Sequence, residues 1–88
     1  MSHQETEQQR LEALEQLEIE KPEDFLPGTF GYHEAFHMAS VMIDSTESHL
    51  LDHPAILLDA NLYALASKAH LAFFELYQAM GDKHLADK

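Results

Sequence analysis

Two stretches of this sequence repeat apolar residues at the same 4-3-4-3-4 spacing, and a proline-containing break lies between them. The first runs Tyr32, Phe36, Ala39, Ile43, Thr46, Leu50; the second runs Leu62, Ala66, Ala69, Phe73, Leu76, Met80. Residues three and four apart share one face of a helix, so each stretch reads as the seam of a helix packed on another helix. Asp52-His53-Pro54 breaks the first helix, and Pro54 opens a short helical turn through Leu58. Asp59 or Asn61 caps the second helix, and Gly81 stands where a C-cap glycine belongs. Two helices of about twenty residues joined by a short connection lie antiparallel. The expected fold is all-α: an antiparallel helical hairpin over about 31–52 and 60–80, behind a polar N-terminal helix.

The rest of the chain divides around that hairpin. Residues 1–20 read as the polar helix, with a narrow stripe of Leu11, Leu14 and Leu17 that can dock on something but cannot form a core. Residues 21–31 hold two prolines and two glycines and form a linker; Phe25, Leu26 and Phe30 within it predict that it is pinned to the body. Residues 32–88 are the hairpin domain, which Thr29 caps at its start, and the whole chain is one domain. Each hairpin helix carries a second stripe: Ala35, Met38, Met42, Ser45, His49 on one, and Tyr63, Ser67, His70, Phe74, Tyr77 on the other. One partner helix covers only one seam. Pairing two hairpins into a four-helix bundle buries both stripes, so a homodimer is expected.

Charge then narrows the function classes. Sixteen acidic residues face five basic ones, a net charge of −11, and no Lys or Arg lies between Lys21 and Lys68. Nucleic-acid binding depends on basic side chains displacing counterions, so direct DNA or RNA binding is not expected, nor is docking on an anionic membrane. A basic protein would be attracted instead, with Asp44, Glu47 and Asp52 as candidate contacts. The plainer reading of the acidity is solubility. There is no cysteine, which removes disulfides and thiolate metal sites. The polar, acidic first twenty residues do not read as a signal peptide, and no apolar run reaches the roughly 20 residues of a membrane span. The expected address is the cytoplasm.

One motif could carry chemistry. His33-Glu34-Ala35-Phe36-His37 reads H-E-x-x-H, which puts two histidines one helical turn apart, ready to grip a divalent ion such as zinc or iron. In zinc peptidases the Glu of this pattern is the general base. Glu34-x-x-His37 is also the ligand pair that di-metal carboxylate bundles draw from two of their helices. Antiparallel pairing would bring Glu75 near His37, and His70 is a further candidate ligand. Against catalysis stand the brevity of the motif, the lack of a substrate-holding strand, and the position of Phe36, not the histidines, on the seam. No nucleophile elbow or phosphate loop is present. His49 and His53 form a second pair, explained by the helix C-terminus they sit on. Met38, Met42, Tyr63, Phe74 and Tyr77 could instead line a ligand pocket.

The segments FLPGTFGYHEAFHMAS, LLDHPAI and LYQAMGDKHL, within about Asp24 to Leu85, resemble a group of short bacterial proteins that carries no assigned activity. The resemblance implies a bacterial or phage origin and nothing about chemistry. Taken together, the residues point to a non-enzymatic, acidic interaction protein of regulator, inhibitor or antitoxin type, without a cofactor. The alternative is a metal-binding helical bundle built on His33, Glu34 and His37.

Overall fold

A computed structural model describes residues 3–86 of the 88-residue chain. Those residues are all-α, with no strand among them. In chain order they form α1 (His3–Leu17), a 3-10 turn (Pro22–Phe25), α2 (Phe30–Thr46), a π-helical turn (Glu47–Leu51), α3 (Pro54–Leu57) and α4 (Ala60–Ala86).

The helix boundaries follow from local chemistry. Thr29 caps α2 as expected: its hydroxyl oxygen accepts the Tyr32 N–H at 3.2 Å and its own O–H donates to the Leu26 carbonyl at 2.7 Å. Asp59 caps α4 by accepting the N–H groups of Asn61 and Leu62, both at 3.0 Å. His53 does something other than charge the end of the preceding helix. Its Nδ1 accepts the Ala55 N–H at 3.0 Å, which makes it the N-cap of α3.

Gly81 corrects a second expectation. The helix does not stop there but continues to Ala86. A β-carbon on Gly81 would stand 3.3 Å from Cε1 and Cζ of Phe36, so this glycine lets α2 and α4 approach closely. Gly31 has a similar task at the start of α2. A β-carbon there would fall 2.5 Å from the Asp24 carbonyl oxygen and 2.6 Å from the Phe25 ring.

The start of α2 lies against the end of α4. Phe36 stacks on Tyr77 with ring centroids 4.6 Å apart, and the Tyr32 hydroxyl donates to the Met80 carbonyl at 3.2 Å. On α2 the inward residues are those of the expected seam, with Ala39 and Thr46 buried. Thr46 satisfies its hydroxyl within the helix by donating to the Met42 carbonyl at 2.7 Å. On α4 the seam is rotated from the expected one. Ala66, His70, Phe73, Tyr77, Met80, Gly81 and His84 are the less exposed residues, while Leu62, Ala69 and Leu76 are exposed. Stacking on Phe36 draws Tyr77 inward, and Leu76 turns out with it.

The linker meets the end of α4 through its backbone. The Gly28 N–H donates to Nδ1 of His84 at 2.9 Å, across 56 positions of sequence. Gly28 has φ 93, a turn conformation that favours glycine. Phe25, Leu26 and Phe30 remain 55%, 55% and 77% exposed, so they do not form the expected apolar anchor.

Helix α1 packs against no other element among the described residues. It is held locally, by an Arg10–Glu7 ion pair on its surface and by a Gln8–Glu12 hydrogen bond. The Arg10 guanidinium holds the Glu7 carboxyl below the usual carboxylate range, mainly through hydrogen bonding. Both side chains are in water, where such pairs add little stability. The helix ends at Leu17, and Glu18 after it takes φ 50 in place of the usual glycine.

Candidate functional site

The sequence motif lies in the first two turns of α2. His33, Glu34 and His37 are all exposed. The Phe36–Tyr77 stack fixes the level at which α2 and α4 meet, and Glu75 accordingly falls at the level of His37. At about 100° per residue, however, Glu75 sits roughly 160° round the helix from both Phe73 and Tyr77, which face α2. It is exposed on the far edge. The same register puts His70 level with Ile43, six residues or about 9 Å along the axis from His37. His70 and Glu75 therefore do not join His33 and His37. Among the described residues no three His, Asp or Glu side chains converge to hold a metal ion.

A residue the sequence reading passed over is the one that organises this end of the molecule. His84 is buried, with Tyr32 stacked on it at 5.3 Å, Phe36 at 5.8 Å and His33 at 5.6 Å between ring centroids. Its Nδ1 accepts the Gly28 N–H, so on a neutral ring the proton sits on Nε2. A metal-bound histidine has the opposite arrangement, donating a proton from the nitrogen that does not bind. The contact of His33 with His84 is thus set up as a structural clasp. The clue in the sequence was position: His84 continues the 66, 70, 73, 77, 80 spacing by one further turn.

His70 is half-buried in the α2–α4 contact, and its Nε2 is buried without a hydrogen-bond partner. With Ser67, Lys68, Leu71 and Phe74 it borders a shallow depression on one flank of α4. The wider pocket suggested by sequence does not form. With the start of α2 against the end of α4, and at about 100° per residue, Met38 and Met42 fall to one side of the Phe36–Tyr77 contact and Tyr63 and Phe74 to the other. Tyr77 faces inward onto Phe36.

The acidic candidates stand free. Asp44, Glu47 and Asp52 are exposed, and none has an ion-pair partner among the described residues. Asp44 and Glu47 are used only through their backbones: the Ser48 hydroxyl donates to the Asp44 carbonyl at 2.9 Å, and the Asp52 N–H to the Glu47 carbonyl at 3.0 Å. All three lie towards the end of the molecule remote from His84.

No family model, curated protein or solved structure matches this chain. No helix among the described residues is long and apolar enough to cross a membrane.

Proposed function

We propose that the chain is a non-enzymatic interaction protein: an α2–α4 hairpin that pairs into a four-helix bundle and offers its acidic surface to a basic protein. The observation that carries the reading is the missing core. Among the described residues Ala39 is the one buried apolar side chain. The chain exposes 7090 Å², where a folded monomer of its 10.0 kDa exposes about 5,200 Å². Its radius of gyration is 16.1 Å, against about 12 Å for a compact chain of this length. A protein so built completes itself on other molecules. The net charge of −11 and the unpaired Asp44, Glu47 and Asp52 select a basic partner.

The test is retention of basic proteins on the immobilised chain at about 0.05 M and about 0.5 M salt, beside a Glu47→Lys/Asp52→Lys variant. Screening shortens the reach of exposed charges to about 10 Å at 0.1 M and less above it. Retention by the native chain should fall with salt and be lost in the variant. Retention indifferent to both would remove the acidic-surface reading. The alternative is a divalent ion held by His33 and His37, supported by their one-turn spacing on an exposed face; it needs a third donor from another molecule.

A further inference from the structure

We infer that a second copy of this chain docks on the side of the α2–α4 pair formed by Met38, Met42, Leu62, Leu65, Ala69 and Leu76, not on the aromatic flank. The inference rests on the four-helix reading and adds the face, its partner and its consequence for the histidines.

The two flanks of the seam differ in chemistry. Helices that pass in opposite directions bring together flanks of like sense, so Ala35, Met38 and Met42 of α2 adjoin Leu62, Leu65, Ala69, Ala72 and Leu76 of α4. From Leu62 to Met80, five helical turns, no charged residue stands on that side. Its large side chains are open: Met38 52%, Met42 40%, Leu62 44%, Leu65 62% and Leu76 50% exposed. Small residues at 35, 69 and 72 let a facing helix approach closely. The opposite flank puts Tyr63, Leu71 and Phe74 of α4 beside His33, His37, Ser40 and Asp44 of α2. Burying it would take the charges of Asp44 and of Lys68, which borders the same flank, out of water, a cost the uncharged side does not carry.

Area and charge identify the occupant. The chain exposes about 1,900 Å² more than a compact monomer of its mass, part of it on the free α1. A standard interface takes about 800 Å² from each partner, and that excess leaves room for one. A basic partner is drawn by carboxylates, and this side has none. A second copy presents an equally apolar, uncharged face, and two-fold pairing matches the patch to itself. In that dimer His33, His37 and Asp44 stay outward.

The chain has no cysteine, so single cysteines report the face directly. Ala69→Cys and Met38→Cys place a thiol on the inferred side, and Ser67→Cys places one on the other flank. Each full-length variant is treated with a flexible bismaleimide long enough to join packed helices, whose axes lie about 10 Å apart. Light scattering on a sizing column measures the mass of each before reaction. A dimer mass, with covalent dimer from Ala69→Cys or Met38→Cys and at least tenfold less from Ser67→Cys, is the expected result. A dimer cross-linked mainly through Ser67→Cys would overturn the face and leave the four-helix reading standing. A dimer cross-linked through none of the three would overturn the face as well. A native chain of monomer mass at 0.1 mM would overturn both.

Discussion

Replacing His84 with phenylalanine isolates one bond. The ring that Tyr32, His33 and Phe36 surround is kept, and the acceptor for the Gly28 N–H is lost. The cost depends on whether water reaches the freed donor. Gly28 is itself exposed, so the N–H can be solvated, and the loss is the net worth of one hydrogen bond, about 1 kcal/mol, not the larger desolvation penalty of a sealed donor. For a domain of this size that lowers the melting temperature by about 4–8 °C. His84→Ala also empties a buried site between three rings and should cost about 2–4 kcal/mol. Melting is compared at one protein concentration, because the proposed pairing would make the midpoint concentration-dependent. Amide exchange gives the local readout: the Gly28 N–H, hydrogen-bonded to His84, should exchange faster in His84→Phe than in the native chain, while amides in the middle of α2 change little. Unchanged Gly28 protection together with an unchanged midpoint would refute the idea that His84 clasps the linker.

Two further substitutions separate structural from chemical roles. Gly31→Ala should destabilise by about 1–3 kcal/mol in urea unfolding, because its β-carbon meets the Asp24 carbonyl, a backbone atom that cannot swing aside as a side chain would. His37→Ala should leave the melting temperature unchanged with one equivalent of zinc and with a chelator, since no third ligand converges on the His33–His37 pair among the described residues. A zinc-dependent rise in the native chain that vanishes in His37→Ala would restore the metal reading.

The periodicity that revealed the helices was a good guide to α2 and a poorer one to α4, for a physical reason. On α2 one stripe combines small and aromatic residues at the right spacing, so Tyr32, Phe36, Ala39, Ile43 and Thr46 face inward as read. Even there the last step failed. The π-helical turn at Glu47–Leu51 adds a residue to the turn, so Leu51 is half-buried and Leu50, the expected seam residue, is 44% exposed. Helix α4 is apolar over most of its circumference, so spacing alone could not choose its inward face; the Phe36–Tyr77 stack and the gap at Gly81 choose it. His84 lies past Gly81, where a glycine predicts a helix end, so the spacing alone does not point to the clasp. The H-E-x-x-H motif was visible from sequence, but the position of Glu75 on the far edge of α4 required its rotation as well as its level.

The proposed pairing and the proposed partner make opposite demands on salt, which lets each be judged without the other. Two copies each carrying −11 repel as they approach, while the face that joins them bears no charge and gains nothing from opposite signs. Screening therefore removes a cost of pairing and leaves its apolar drive intact, so dimer dissociation should weaken as salt rises from about 0.05 to 0.5 M. Capture of a basic protein by Asp44, Glu47 and Asp52 is an attraction, and the same salt reduces it. Sedimentation at both ionic strengths reads the first and retention of the basic protein reads the second. If both fell together, the copies would be held by charge, and the only charges between Lys21 and Lys68 are negative; the uncharged face could not then be the one that joins them.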